Sequence, residues 1–247
     1  MNNKQWIVVT GASSGIGRST VMKLLEAGLC VVATARNEEK LNELYSTMKD
    51  VKVISWDLSQ TDNIKEYCET VKNQVGTISG LMHCAGQQVT LPVHMIKEKK
   101  IEEVFGINTF AAMLLVSAFC KKGSTDNGAS FVLVSSLAAH EGAFGKSIYA
   151  ASKGALEGFI RAVSPELAEK GIRINAIAPG IVQTEMVNKY FNQVTEEQKN
   201  TTIKEYPLGL GKPEDVAELA VYLLSKNSRW VTGQVIIIDG GHLVRKC

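Results

Sequence analysis

Short runs of β-branched and apolar residues alternate along the chain with longer segments in which apolar residues recur every three or four positions. The first kind of run is typical of buried strands and the second of amphipathic helices. The runs predict strands at 7–9, 29–35, 51–56, 78–84, 129–135, 172–178 and 235–238. Because helices separate the strands, the pattern predicts one α/β domain over residues 1–247, a doubly wound parallel sheet with helices on both faces.

The segments between the strands predict helices at about 18–26, 38–48, 60–75, 101–120 and 147–170, and a further helix that starts at Pro213. Ser59 and Asp62 have the spacing of a capping box for the helix at 60–75. The segment 101–120 is apolar on nearly every side, which predicts a helix buried on every side. Pro165 lies inside the segment 147–170, where we expect it to kink or loosen the helix.

Residues 5–17, QWIVVTGASSGIG, place a strand, a Gly-rich turn and the start of a helix in direct succession. Glycine allows the tight turn and the close approach of a pyrophosphate, and the first helical turn offers it unpaired N–H groups. A Gly-rich connection without a ligand is the alternative, but the flanking strand and helix favour a nucleotide site. No Gly-Lys-Ser or Gly-Lys-Thr follows, which excludes a P-loop.

In a parallel sheet of this kind, ligands bind beyond the carboxyl ends of the strands. Besides 11–17, the segments that directly follow predicted strands are 35–36, 57–58, 84–86, 135–136 and 179–184. We therefore expect the functional residues in these segments.

The composition narrows the class of protein. The chain has 247 residues, 45% hydrophobic and 21% charged, with a formal net charge of +2, so a polyanionic partner such as nucleic acid is not expected. No signal-peptide pattern precedes the first strand and no apolar run approaches membrane length, so we expect a cytoplasmic protein that does not bind a membrane. The five cysteines, at 30, 68, 84, 120 and 247, fit reduced thiols. No CxxC or HExxH pattern occurs, and we expect no metal site.

Tyr149 and Lys153 are four residues apart and therefore share one face near the start of a helix. A lysine ammonium beside a tyrosine favours the phenolate and lowers its pKa from the usual value near ~10, so the pair could act as a general acid and base. An ordinary surface pair is the alternative for this common spacing. Ser136 ends a strand, where its hydroxyl could orient a carbonyl or cap backbone. Asn108 lies in an apolar helix, where it either satisfies a backbone kink or holds a water.

These residues and several motifs together resemble the short-chain dehydrogenase/reductase family over essentially the whole chain. The matching motifs are TGASSGIG at 10–17, Asp57-Leu58, Ala85-Gly86, Asn108, Ser136, Tyr149-Ala-Ala-Ser-Lys153, 175–180 and Asp239-Gly240-Gly241. The resemblance implies a Rossmann-like fold and an NAD(P)-dependent interconversion of ketone and alcohol.

The resemblance also implies roles for individual residues. Tyr149 would be the acid and base, Ser136 would orient the carbonyl, and Lys153 would bind the nicotinamide ribose and lower the pKa of Tyr149. Asn108 would hold a water of the proton relay. Asp57 and Leu58 would contact adenine, and 181–184 the nicotinamide carboxamide. The implied cofactor contacts are Gly11, Ser13, Ser14, Gly15, Ile16, Gly17, Arg36, Asp57, Leu58, Cys84, Ala85, Gly86, Tyr149, Lys153, Pro179, Gly180, Ile181 and Thr184.

Two positions distinguish this chain within the family. The family usually reads Asn-Asn-Ala-Gly where this chain reads His83-Cys84-Ala85-Gly86, which predicts that His83 is a hydrogen-bonded core residue rather than a catalytic one. After the second strand, members that use NAD carry an acid for the ribose 2′-OH, whereas this chain has Ala35 and then Arg36. A guanidinium can pair with a 2′-phosphate, so we expect NADP(H), with a solvated arginine as the alternative.

The segment 183–206 is predicted to cover the substrate as a lid. Its apolar residues Met186, Val187, Tyr190, Phe191 and Val194 favour an apolar or acyl substrate. The opposite rim, 137–145, offers His140, Glu141 and Phe144 without an assignable role.

The chain is most similar to β-ketoacyl-acyl-carrier-protein reductases, which implies a 3-oxoacyl thioester substrate from fatty acid biosynthesis and an acyl carrier protein as partner. Lys170 and 121–122 could meet such an acidic carrier. A dehydrogenase of a small secondary alcohol, sugar or steroid is the alternative enzyme, and a non-catalytic NADP(H)-binding protein the alternative of another class. The apolar surround of helices 101–120 and 147–170, with the family resemblance, predicts a homotetramer.

Overall fold

The computed structural model describes residues 4–192 and 194–245, which form a parallel sheet of seven strands covered by helices on both faces. The strands are β1 Trp6–Thr10, β2 Cys30–Ala35, β3 Val51–Ser55, β4 Ile78–His83, β5 Thr125–Val134, β6 Arg173–Pro179 and β7 Val235–Ile238. Their order across the sheet is β3-β2-β1-β4-β5-β6-β7, and every neighbouring pair is parallel. The predicted α/β doubly wound fold is confirmed.

The helices connect the strands and cover the sheet. They are α1 Gly15–Glu26, α2 Glu38–Tyr45, α3 Ile64–Val75, α4 Glu98–Phe105, α5 Ala111–Phe119, α6 Ser147–Glu169, α7 Glu185–Phe191, α8 Glu196–Lys204, α9 Pro213–Leu224 and α10 His242–Arg245. Most boundaries lie within a few residues of those that the pattern predicts. Pro213 occupies the first turn of α9, where its missing N–H would have no helical partner in any case.

Two apolar cores lie on opposite faces of the sheet, because successive residues of a strand point to opposite sides. Val8 of β1 belongs to the core that α3, α5 and α6 complete. Its neighbours Ile7 and Val9 belong to the second core, completed by α1, α2 and α9. The strands of the centre are thus buried on both faces, which explains why their sequences are continuously apolar rather than alternating.

The predicted helix at 101–120 differs from the structure in two respects. A single π-helical segment, Gly106–Phe110, separates α4 from α5 and contains Asn108. The prediction that this helix is buried on every side is wrong, because Phe110 and Leu114 expose 48% and 41% of their surface. The opposite face, which includes Leu115 and Phe119, packs in the core.

The expectation that no apolar run approaches membrane length is wrong: the run Glu98–Phe119 is long and apolar enough to cross a membrane by length and composition, and it is the one helical run of the described residues that meets this test. Core helices of soluble proteins pass the same test. Here one face of the run packs against α3 and α6, so the core explains the apolar residues of that face but not the exposed Phe110 and Leu114.

The capping box predicted at Ser59 and Asp62 is wrong. The backbone N–H and the hydroxyl of Ser59 both donate to Oδ1 of Asp57, at 3.0 and 2.8 Å, so the hydroxyl serves the loop after β3 instead of the helix. A short 3₁₀ turn, Thr61–Asn63, then leads into α3 without a side-chain cap. Pro165 lies within α6, and its predicted effect on the helix stays a prediction.

Candidate active site

Two adjoining cavities lie at the carboxyl ends of the strands. The larger has a volume of about 530 Å³ and the smaller about 280 Å³. They share a common boundary, formed by Ile16, Gln88, Val134, Tyr149 and Thr184. Tyr149 therefore stands where the two cavities meet, with access to whatever each of them holds.

The structure brings nearly all the predicted site residues to these cavities. The larger cavity is lined by Gly11, Ser13, Ser14, Gly15, Ile16, Gly17, Arg36, Asp57, Leu58, Cys84, Ala85, Gly86, Tyr149, Lys153 and Thr184. Pro179, Gly180 and Ile181 line the smaller cavity together with Ser136. Asn108 lines neither cavity and is fully buried.

The Gly-rich turn leaves the start of α1 open towards the larger cavity. Ser14 caps the helix with extended backbone, and its carbonyl oxygen accepts from the N–H of Arg18 at 3.1 Å, but its side chain accepts no hydrogen bond from the helix. The first turn contains no acidic residue. Gly17 is required for the close packing of this turn, since a Cβ there would lie 2.2 Å from the carbonyl oxygen of Gly11. The N–H groups of the first turn, which have no partner within a helix, and the positive end of the helix dipole fit a dinucleotide pyrophosphate.

Tyr45 of α2 is a supporting residue that the sequence analysis missed. Its buried phenol donates a hydrogen bond of 2.6 Å to the carbonyl oxygen of Ala12 and so fixes the Gly-rich turn. Burial raises the pKa of Tyr45 to about 12, which keeps the phenol a donor. No local pattern identifies this contact, because the two residues are 33 positions apart.

Three consecutive residues at the end of β5 hold three residues of α6. The carbonyl oxygen of Val134 accepts a hydrogen bond of 2.7 Å from Nζ of Lys153. The hydroxyl of Ser135 donates to Oε1 of Glu157 over 2.6 Å, and Ser136 faces the phenol of Tyr149. Residues four apart on a helix share a face, so α6 presents all three side chains to the strand end. This arrangement brings Ser136, Tyr149 and Lys153 together, as the spacing predicted.

Burial is the largest cause of the pKa shifts of Tyr149 and Lys153. It raises the pKa of Tyr149, and the opposing influence that lowers this pKa comes from the Ser136 hydroxyl rather than from Lys153. Burial also lowers the pKa of Lys153 to about 8. The expected lowering of the Tyr149 pKa by Lys153 is thus not found: Nζ lies 5.9 Å from the centre of the Tyr149 ring and donates to Val134.

Asn108 joins the π-helical segment to the loop after β4 and to α6. Its Oδ1 accepts from the backbone N–H of Gln87 at 2.8 Å, and its Nδ2 donates to the Gln87 carbonyl and to the Ser152 hydroxyl, both at 3.0 Å. Both amide hydrogens are therefore engaged by the protein. Of the two roles open from the sequence, this geometry favours the support of an irregular backbone, and the water-holding role stays a prediction.

His83 is a buried, hydrogen-bonded residue, as predicted. Its Nδ1 lies 2.9 Å from the hydroxyl oxygen of Thr10, which also accepts from the backbone N–H of Ala85. Burial is the main cause that lowers the pKa of His83 to about 3, and the charge of Lys153 is a smaller cause in the same direction. Its Nε2 makes no hydrogen bond of ordinary geometry with residues 4–192 and 194–245, although the nearby Ile107 backbone opposes the lowering of the pKa to a small extent. The imidazole is therefore neutral at ordinary pH.

The far wall of the smaller cavity contains a buried polar cluster that the sequence analysis did not assign. Nε2 of His242 lies 2.9 Å from Oε2 of Glu141, and its Nδ1 lies 3.2 Å from the carbonyl oxygen of Glu205. The imidazole stacks on Tyr206, whose hydroxyl accepts from the backbone N–H of Ile181 at 3.2 Å. The cluster thus ties α10 to both rims of the cavity.

The three residues predicted on the rim 137–145 have different surroundings in the structure. Glu141 belongs to the cluster just described, while His140 turns inward and pairs with Glu157 at 2.9 Å. Phe144 is 85% exposed. In the segment 183–206, which the sequence predicts to be a lid, Val187 lines the smaller cavity, whereas the side chains of Met186 and Tyr190 lie outside the described residues.

Neither a metal site nor a reactive thiol stands out in the described part of the chain. No group of three His, Cys, Asp or Glu side chains there is placed to hold a metal ion. Cys30, Cys68, Cys84 and Cys120 are free thiols, and Cys247 lies outside the described residues. Cys84 lines the larger cavity, where burial raises its pKa to about 12.

Comparison with known proteins gives consistent matches over the whole chain. A family model described as enoyl-(acyl carrier protein) reductase matches residues 11–242. A 3-oxoacyl-[acyl-carrier-protein] reductase, FabG, of Thermotoga maritima is 34% identical over 242 residues, which cover 96% of this chain and 97% of the relative. Carbonyl reductase family member 4 of Danio rerio is 31% identical over 95% of this chain and 96% of its own.

A solved structure gives the same result for the fold. A short-chain type dehydrogenase/reductase from Mycobacterium ulcerans is similar with a TM-score of 0.89 at 28% identity, covering 97% of this chain and 90% of that one. This likeness and the observed strand order confirm the predicted Rossmann-like architecture.

Proposed function

The chain belongs to the short-chain dehydrogenase/reductase family of NAD(P)(H)-dependent oxidoreductases, and we propose that it reduces a ketone to a secondary alcohol with NADPH. The observation that carries this proposal is the position of Tyr149 at the boundary of two cavities. The larger cavity, with its open helix start, suits a dinucleotide. The smaller one, which contains Ser136, suits the substrate carbonyl.

The chain's own residues would act on a carbonyl in the smaller cavity. When bound, the cofactor supplies the hydride. The Ser136 hydroxyl orients the carbonyl oxygen, and the Tyr149 phenol, kept protonated by burial, gives its proton to that oxygen. The Lys153 ammonium, which now donates to Val134, lies on the same face of α6 and would bind the nicotinamide ribose. Asn108 holds the loop at Gln87 that borders both cavities.

The preference for NADPH is supported at the end of β2. Ala35 and Arg36 both line the larger cavity, and neither can repel a 2′-phosphate as a carboxylate would. Ser13 and Asn37 line it as well and offer neutral hydrogen-bonding groups. The guanidinium of Arg36 gives the phosphate a charge-assisted contact.

The substrate we favour is a 3-oxoacyl thioester, carried by coenzyme A or by an acyl carrier protein. The 34% identity to a 3-oxoacyl-[acyl-carrier-protein] reductase supports it, and so does Val187, an apolar lid residue on the smaller cavity. A small polar secondary alcohol or sugar is the second candidate. Glu141 and His242, which give that cavity a polar wall, favour it.

The proposal also includes the domain organisation of the chain, its oligomeric state and its cellular compartment. The domain is single, residues 183–206 form a lid over the smaller cavity, and the active form is a cytoplasmic homotetramer. Exposed Phe110 and Leu114 on the helical run beneath the sheet support an association between copies.

A substrate screen with NADPH tests the proposal. Acetoacetyl thioesters, steroids, sugars and small diketones are compared by kcat/KM. We expect the thioesters to give the highest value. If small sugars are reduced far more efficiently, the second candidate replaces the first, and if no ketone is reduced the proposed function is wrong.

A further inference from the structure

Lys146 is a cationic side chain in the wall of the smaller cavity. It directly precedes α6 and stands three residues before Tyr149, and both line this cavity with Ser136. Residues three apart at the start of a helix have Cβ atoms about 5–6 Å apart. A lysine side chain from this position can therefore reach a group close to the carbonyl that Tyr149 protonates.

The charge of Lys146 has no acidic partner within the described residues. No carboxylate of residues 4–192 and 194–245 lies within 4.0 Å of its Nζ. The smaller cavity contains two acidic residues, Glu141 and Glu205. Glu141 pairs with His242, and Glu205 makes no ion pair with Lys146. Burial lowers the pKa of Lys146, the direction expected for an ammonium that is partly removed from water without a counter-ion.

The ammonium group of Lys146 can donate further hydrogen bonds besides the one it makes in the structure. Its Nζ donates to the hydroxyl of Thr90 at 2.6 Å, and this neutral oxygen takes one of the three ammonium hydrogens. The contact joins α6 to the loop after β4, as does the bond from the Leu91 N–H to the Gly145 carbonyl. A half-buried ammonium with one neutral acceptor is a favourable site for a further oxygen ligand.

We propose that Lys146 binds the second oxygen function of a 3-oxo substrate and thereby selects such substrates over simple ketones. The oxygen is the thioester carbonyl of an acyl thioester or the carboxylate of a free 3-oxo acid. In both, this oxygen is on the second carbon from the ketone. Lys146 and Tyr149 are three residues apart at the start of α6 and line one cavity, so each can reach one of the two oxygens. This inference rests on the proposed ketone reduction and names the residue that sets its substrate class.

The test compares three ketones in four proteins. The substrates are the acetoacetyl thioester of N-acetylcysteamine, acetoacetate, and 2-pentanone, which lacks a second oxygen function. The proteins are the wild type, Lys146→Met, Lys146→Arg and the control Thr90→Val, which removes the hydroxyl contact but keeps the cation. The measured quantity is the ratio of kcat/KM for each 3-oxo substrate to that for 2-pentanone.

We expect Lys146→Met to lower this ratio by about ten- to a hundredfold for at least one 3-oxo substrate, the effect of one charge-assisted hydrogen bond. Lys146→Arg should restore most of the ratio, and Thr90→Val should change it less than threefold. A loss confined to the thioester identifies its carbonyl as the ligand, and a larger loss with acetoacetate identifies the carboxylate.

Two results contradict the inference alone. One is a ratio that Lys146→Met leaves unchanged while the wild type reduces all three ketones. The other is a ratio that Thr90→Val lowers as much as Lys146→Met, which would assign the effect to the loop. A wild-type protein that reduces none of the ketones contradicts the proposed function instead.

Discussion

The hydroxyl oxygen of Thr10 and Nδ1 of His83 lie 2.9 Å apart at the ends of two neighbouring strands, β1 and β4. The same hydroxyl accepts from the N–H of Ala85, so the imidazole supports the loop that carries Ala85 and Gly86 to the larger cavity. A histidine thus stabilises this loop at a position where the family usually has an asparagine. The difference has a consequence for stability at acidic pH.

We expect His83 to make the protein sensitive to acid. Its pKa is about 3 in the folded state and about 6.5 in the unfolded chain, so the unfolded state binds more protons between these values. Stability is therefore lost as pH falls below about 6.5, by up to about 1.4 kcal/mol per pH unit from this residue. Urea unfolding at pH 7 and pH 4.5 measures the loss, which should be smaller in His83→Asn. An equal loss in both proteins would show that His83 does not titrate in this way.

Asn108→Ala should destabilise the protein. The change removes the partner of the Gln87 N–H and a donor to Ser152, at about 1–3 kcal/mol for each buried group left unsatisfied. The exposed Asn63→Ala serves as the control and should stay within about 0.5 kcal/mol of the wild type. Urea unfolding gives both values. Equal stability of the two variants contradicts the structural role of Asn108.

Ala35→Asp combined with Arg36→Ile should invert the cofactor preference. The new carboxylate repels a 2′-phosphate and accepts from a 2′-OH, while the lost guanidinium contact is worth about 1.5–3 kcal/mol, or roughly ten- to a hundredfold in preference. The measurement is kcat/KM for NADPH and NADH in both proteins, with kcat on the preferred cofactor expected to stay similar. A wild type that prefers NADH, or an unchanged preference in the variant, would place the 2′-phosphate elsewhere.

The exposed side chains of Phe110 and Leu114 should be covered by another copy of the chain. Light scattering at micromolar concentration should give four times the 26.8 kDa of one chain. Phe110→Glu should shift the mass towards that of smaller species, whereas Met22→Glu, which changes a similarly exposed residue on α1, should not. A wild-type mass of 26.8 kDa contradicts the tetramer.

The strands and the Gly-rich turn could be predicted because their causes are local. A short run of β-branched and apolar residues indicates a buried strand, and Gly11 and Gly15 have φ values of 66° and 48°, which glycine adopts at little cost. The set Ser136, Tyr149 and Lys153 was indicated by the family resemblance together with its position at a strand end and in one helical turn, because the Tyr149–Lys153 spacing alone also fits an ordinary surface pair.

The remaining features depend on contacts between distant parts of the chain. Glu141 and His242 are 101 residues apart, and no periodicity of either segment indicates that they meet. The π-helical segment around Asn108 continues an apolar helical pattern, so hydrophobicity alone does not distinguish it from regular helix. The pKa of Tyr149 was mispredicted because spacing places Lys153 on the same face but does not reveal that its ammonium donates to Val134.

Substitution of one atom tests the central claim, that Tyr149 gives a proton to a substrate carbonyl beside bound NADPH. Tyr149→Phe removes only the phenolic oxygen at the boundary of the two cavities. With an acetoacetyl thioester and NADPH, kcat should fall by roughly 10²–10⁴-fold, the usual contribution of a general acid, while the Kd for NADPH changes less than about threefold. Turnover of Tyr149→Phe close to that of the wild type, with NADPH still bound, would contradict the account.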